Sequence, residues 1–139
     1  MVAITNVGTF KAHVFENFGD VFVEIKLRTD VQHSGLAAHR VHIKVHAAAL
    51  NPFDYKLVEQ SQLFILEPPS VDKPFRMGFD MAGTLVQVGA DVKGLMVGDA
   101  VFGVALLGQS GSFAEYVGVD ATLVAPKPAN LAFTPTEAK

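Results

Sequence analysis

The sequence predicts a mainly β domain folded as a barrel, on three observations. Short alternating apolar and polar runs recur at close spacing along the 139 residues. Gly, Pro and Asp punctuate those runs, and a single short segment has helical character. The clearest run is central. Met81 to Val88 alternates, and Gly89-Ala90-Asp91 forms a turn because Gly and Asp tolerate the positive φ that turns need. Gly98-Asp99 forms a second turn, and Val101 to Val104 begins another strand, so the stretch reads as a hairpin.

Taken in order, Lys11 to Phe15 is a strand candidate and Asn17 to Asp20 a turn. Val21 to Leu27 alternates, with Phe22, Glu24 and Lys26 on the outward face, and is read as a strand; Thr29 to His39 is polar and is read as a loop. Val41 to His46 is the best period-2 strand, with Val41, Ile43 and Val45 inward. Ala47 to Leu50 prolongs it until Pro52, which cannot donate to a ladder. Asp54 to Phe64 fits a short helix capped by Asp54, with Leu57, Leu63 and Phe64 inward. The proline-dense run Glu67 to Pro74 is extended, and Leu107 to Ser112 is a connection. Phe113 to Val119 and Ala121 to Ala125 read as further strands, ended by Pro126 and Pro128. Thr134-Pro135 with Glu137 resembles the opening of a helix, which suggests a piece of something longer. The expected organisation is an extension over residues 1–10, one domain over 11–128 and the start of a connection over 129–139.

Composition narrows the function. Half the residues are hydrophobic and 18% charged, enough for a sizeable core and too apolar for disorder. The net charge is −3 with Lys and Arg scattered, so no basic stripe marks a nucleic-acid surface. No run approaches the roughly 20 apolar residues of a membrane span. Met1 to Phe10 lacks the basic start of a secretory signal. There is no cysteine, which excludes disulfides and thiolate metal sites and makes a reducing, cytoplasmic setting the default expectation.

Few residues carry a chemical signal by themselves. His42 and His46 would chelate a metal on a helix, but Val41, Ile43 and Val45 argue for a strand. Residues four apart on a strand lie roughly 13 Å from one another, so these histidines, with His39, are expected on solvated strand faces and no metal is expected. Asn51-Pro-Phe-Asp-Tyr-Lys56 places polar groups where an apolar strand breaks; such breaks build sites, although Asn-Pro and Asp are also ordinary turn chemistry. Gly78 to Gly83 is not the G-x-G-x-x-G that opens a dinucleotide-binding helix, and Ser110 and Ser112 lack a nucleophile elbow.

Several motifs in sequence nevertheless resemble a family. Val45-His-Ala-Ala-Ala-Leu-Asn-Pro-Phe-Asp-Tyr-Lys56 is followed by Met77-Gly-Phe-Asp-Met-Ala-Gly83, Gly98-Asp99, Gly111-Ser-Phe-Ala-Glu-Tyr116 and Val124-Ala-Pro-Lys-Pro128. Together they are similar to the N-terminal half of the medium-chain dehydrogenase/reductase superfamily, in its zinc-independent quinone oxidoreductase and enone reductase branch. The resemblance spans about Lys11 to Lys139. It implies a GroES-like, partly open β-barrel that binds substrate, beside a Rossmann domain for NADPH that this chain does not contain. The chain alone is then expected to lack turnover. The zinc alcohol dehydrogenase pattern departs residue by residue: no cysteine stands near Asn51-Pro52, and Gly78-Phe79-Asp80 occupies the place of a Gly-His-Glu motif.

The resemblance implies hydride transfer from NADPH to a quinone or an α,β-unsaturated carbonyl. Asn51 and Lys56 are then the candidate catalytic and cofactor-contacting residues, with cofactor positioning the first role for Lys56. Phe53, Tyr55, Phe79 and Leu107 are candidates for an apolar slot around the planar substrate, and Asp54 and Asp80 for fixing local geometry. Core packing explains those four apolar residues equally well. Alternatives are a stand-alone GroES-like assembly module and a zinc-dependent relative. A bare apolar face toward the missing domain makes self-association into a homo-oligomer an expectation.

Overall fold

The computed structural model describes residues 8–60, 67–107 and 110–133. Among these residues, strands and α-helices follow in order: β1 (Thr9–Phe15), α1 (Val21–Glu24), β2 (Ile25–Gln32), β3 (Arg40–Ala48), α2 (Pro52–Gln60), β4 (Phe75–Arg76), β5 (Asp80–Val88), β6 (Ala100–Val104), β7 (Tyr116–Asp120) and β8 (Val124–Pro126). They form two antiparallel sheets, one ordered β2-β1-β4 and one ordered β7-β3-β5-β6-β8.

The central hairpin pairs as read from the sequence, β5 with β6 from Asp80↔Val104 to Thr84↔Ala100, but neither Gly89 nor Asp91 takes the expected positive φ; Gly89 serves close approach, as a Cβ there would lie 2.3 Å from Ala38 O. The other neighbour of β5 is β3, and this long pairing carries the main core. Val41, Ile43, Leu85, Val101, Val117 and Val119 are all essentially inaccessible there. Burying each contributes about 1.5–3 kcal/mol, against roughly 1 kcal/mol net for a hydrogen bond, so side-chain burial more than the ladder holds this sheet. A second cluster joins Phe15, Leu57, Val58 and Met77, which seats α2 on β1.

The two sheets are tied by residues 113–115. Phe113 and Glu115 bond β1 through His13 N–H→Phe113 O (2.8 Å) and Glu115 N–H→Lys11 O (3.0 Å), while Val45 N–H→Glu115 O (2.9 Å) ties the same segment to β3. Ala12 and Ala114 make an isolated bridge beside them. The result is a partly open barrel.

Several local expectations are corrected. Val21–Glu24 is a helical turn and not the start of a strand, because the Asp20 carboxylate accepts the Phe22 N–H at 2.8 Å and caps it. The strand begins at Ile25 and runs to Gln32, beyond the expected start of a loop at Thr29. Polar residues are held there by pairing with β1 and by the bonds of Lys26 and Arg28 to the buried Glu16 carboxylate, each 3.0 Å. The helix starts at Pro52 and not Asp54, as proline suits a first helical position, and its expected Leu63 and Phe64 lie outside the described residues. Ala121–Leu123 is a short 3-10 turn capped by Asp120, leaving only Val124–Pro126 as strand. Regular pairing of the preceding strand starts at Tyr116, not Phe113. Thr134 to Glu137 lies outside the described residues.

His42 is not on a solvated face. It is 4% exposed. The opposite face of β3 is covered too, by Ser34, by Tyr116 of the neighbouring β7, and by Phe10 and Arg76 of the other sheet, which line a small pocket with it. A period-2 pattern shows which face is apolar, but not whether the other face is covered.

Candidate active site

β3 ends at Ala48, and Pro52 starts α2, so residues 49–51 make a sharp corner. The corner is locked reciprocally. Asp54 N–H donates to Asn51 O at 3.0 Å, and the Asp54 carboxylate accepts the Asn51 backbone N–H at 2.6 Å. That is the logic of a capping box, with the acid reaching back over one turn. The Asn51 side chain is thereby released from capping. Its amide N–H instead donates to the Asp80 carboxylate, 2.7 Å away at the start of β5.

This corner rims a cavity of about 680 Å³, a size suited to a small organic ligand. Ala48, Leu50, Asn51, Pro52, Asp54 and Tyr55 line one side. Val21 and Ile25 line the other. His13, Met77 and Phe113 line it as well, and their backbones close a ring: His13 N–H→Phe113 O 2.8 Å, Phe113 N–H→Met77 O 2.9 Å and Met77 N–H→His13 O 3.1 Å. Three separate segments are thus fixed relative to one another at the cavity. Gly78 follows directly with φ +92°, and a Cβ there would lie 2.5 Å from both Phe113 Cδ1 and Ser112 Oγ, so only glycine lets these segments meet.

The polar groups are few. Asp54 is buried, its Oδ1 has no hydrogen-bond partner among the described residues, and burial pushes its carboxyl above the usual range; the Asn51 N–H opposes this and the nearby Asp80 charge adds to it. Asn51 is half-buried, with one amide N–H given to Asp80. An amide has a second N–H.

The residues singled out from the sequence divide in two. Asn51 and Tyr55 both line the cavity. Phe53 and Phe79 form a ring pair at 5.2 Å and do not line it. Lys56 is exposed on the outer side of that helix, since ~100° per residue carries it away from the inward Asp54, Leu57 and Val58. Leu107 is exposed and does not line the cavity. Sequence reading missed His13, Val21, Ile25, Ala48, Leu50, Met77 and Phe113. Only Ala48 and Leu50 carried a signal, being adjacent to the strand break; the rest arrive through long-range pairing.

Comparison with known proteins identifies the fold's family. Residues 37–129 match the family described as the alcohol dehydrogenase GroES-like domain. A 2-methylene-furan-3-one reductase of Solanum lycopersicum is 42% identical over 88% of this chain and 32% of its own length. The chloroplastic NADPH-dependent alkenal/one oxidoreductase of Arabidopsis thaliana is 40% identical over the same shares. The chain therefore spans about a third of these curated relatives. Among solved structures, the quinone oxidoreductase of Coxiella burnetii superposes with a TM-score of 0.75 at 31% identity, over 90% of this chain and 39% of that one. An alcohol dehydrogenase superfamily protein from Novosphingobium aromaticivorans gives 0.77 at 34%, over 90% and 36%. The chain belongs to the alcohol dehydrogenase GroES-like domain family, in the quinone oxidoreductase and enone reductase branch of the medium-chain dehydrogenase/reductase superfamily.

Proposed function

We propose that this chain is the acceptor-binding half of an NADPH-dependent reductase of quinones or α,β-unsaturated carbonyls. The observation that carries the reading is the Asn51 amide, pinned by Asp80 at the rim of a mostly apolar cavity. The names of the relatives, an alkenal/one oxidoreductase and a furanone reductase, support the substrate class and the cofactor.

The residues present fit one end of a nicotinamide cofactor. Lys56 offers an exposed ammonium with no ion pair among the described residues, while the second N–H of Asn51 is left for the acceptor. Lys56 would hold the cofactor's sugar, and the rest of the dinucleotide needs a fingerprint that this chain lacks. When bound, the cofactor supplies a hydride. The chain's own work is to receive the acceptor. Leu50, Tyr55, Met77 and Phe113 exclude water and confine a planar molecule, while Asn51 donates to the oxygen on which negative charge develops. In a dry cavity that hydrogen bond is stronger than in water. Asp80 acts by orienting the amide, and water supplies the completing proton.

The reading is zinc-independent. Its support is the donor set: the chain has no cysteine, and the described residues bring no three His, Asp or Glu together. A cysteine-free chain also suits a reducing compartment such as the cytoplasm. The exposed Phe22, Val23 and Leu50 near the cavity fit a face covered by further protein, whether another domain or a second copy.

The test is oxidation of NADPH by the protein expressed from its whole gene, with an enone or a quinone as acceptor. The expected result is consumption without added zinc, with the enone's C=C bond reduced. Consumption only with zinc, yielding an allylic alcohol, would overturn the reading.

A further inference from the structure

The second pocket lies away from the cavity, where the outer face of β3 meets the small sheet. Arg76 is its centre. The guanidinium sits with its Cζ 5.0 Å from the Phe10 ring centroid, and one Nη donates to Tyr116 O at 3.2 Å. Its Nε–H is buried and has no hydrogen-bond partner among the described residues. Among the described residues no carboxylate lies within ion-pair distance of it. Burial lowers its pKa to about 10, so it remains charged at neutral pH. A desolvated charge is normally paired, and a buried N–H is normally bonded; this half-buried guanidinium has neither among the described residues.

What surrounds it decides what could supply the pairing. Ser34, Ser110, His33 and His42 share the pocket, and His42 Nε2 lies 3.5 Å from Ser34 Oγ. Burial holds both imidazoles below their ordinary pKa, so each is neutral at pH 7 and carries a ring N–H. Among the described residues, no acidic one lines the space. The volume is about 10 Å³, room for roughly one water-sized particle, which excludes phosphate, sulfate and carboxylate ligands. Ser34 is exposed and gives a path from solvent.

We propose that the Arg76 pocket, lined by the hydroxyls of Ser34 and Ser110 and the imidazoles of His33 and His42, binds a single monatomic anion, chloride. The ion meets the unpartnered Nε–H and neutralises the guanidinium, and the hydroxyls complete its shell. A lone water would satisfy the N–H but leave the charge unpaired.

The test is NMR of the histidine ring signals of the chain during a chloride titration, with ionic strength held constant by gluconate. Chloride should move the His33 and His42 signals saturably, and leave those of His13, His39 and His46 without a common midpoint. Arg76→Gln should abolish the response. Should that variant fail to fold, Ser34→Ala with Ser110→Ala should raise the half-saturating chloride concentration about fivefold or more, as loss of roughly 1 kcal/mol of hydrogen bonding requires. Signals that ignore chloride mean a water-filled pocket, and signals that respond equally to gluconate mean screening; either overturns the proposal.

Discussion

The side-chain amide of Asn51 donates to the carboxylate of Asp80 across 2.7 Å, joining the start of α2 to the start of β5. Asn51 is free to do so because Asp54 takes over the capping of the helix. Asp80→Ala is expected to cost about 1–2 kcal/mol in urea unfolding, as a hydrogen bond to a charged group. In the whole protein it should also lower kcat more than it raises the KM for NADPH, because the amide loses its aim and not its presence. A fall in stability with kcat unchanged would confine Asp80 to structure.

Lys56 stands on the outer side of α2, apart from the cavity that Asn51 and Tyr55 line. Its expected partner is the cofactor and not the acceptor. Lys56→Ala should raise the KM for NADPH several-fold, with the KM for the enone and the melting temperature nearly unchanged. Steady-state kinetics with each substrate varied in turn would check this.

Two glycines separate close packing from backbone conformation. At Gly83 a Cβ would stand 2.1 Å from Lys44 O and 2.7 Å from Ile43 Cγ2, between the two longest strands of the large sheet. Gly83→Ala should destabilise by about 3 kcal/mol or more, since the strands must part. Gly94 has φ +76° with nothing within 4 Å, so Gly94→Ala meets strain alone, about 1–2 kcal/mol. Denaturant midpoints of the pair would show the difference.

The acid limb of the stability curve should be shaped by groups of opposite sign. Hydrogen bonds from Lys26 and Arg28 hold the Glu16 carboxyl below its usual range. The unfolded chain therefore binds the proton more readily, and Glu16's contribution is full above the ordinary glutamate value and lost as pH falls through the lowered one. His33 and His42, depressed by burial, behave likewise from the ordinary imidazole value downward. Asp54, raised by burial, does the reverse and costs stability as pH rises through its window. Glu16→Gln should flatten the acid limb, whereas Asp54→Asn should gain on the parent chain as pH rises. Urea midpoints between pH 3 and 7 would resolve the two.

The sequence was most legible where one residue type decides the local outcome. The β5–β6 hairpin followed from its alternation and its glycines, and a strand end ahead of Pro52 from proline chemistry, although β3 stops at Ala48 and does not run on to Leu50. It was misleading where a side chain redirected the backbone, as Asp20 did in turning Val21–Glu24 into a helix. The polar segment from Thr29 to Gln32 read as loop because pairing with Thr9 and Phe10 is a long-range fact. The site shows the same division. Asn51 and Tyr55 were visible beside the break, whereas His13, Met77 and Phe113 meet only through a ring of backbone bonds spanning the chain. His42 looked solvated because nothing in its own strand reports the sheet that folds over it.

The central claim is that the acceptor sits in the cavity at the end of β3 with its oxygen at Asn51. Its most direct test is an NMR titration of the isotopically labelled chain with cyclohexenone. The account predicts saturable shifts of the Asn51 side-chain amide and of Ala48, Leu50, Tyr55, Met77 and Phe113. Saturable shifts that leave the Asn51 amide unmoved and cluster instead around the exposed Phe102 and Val104 would contradict it.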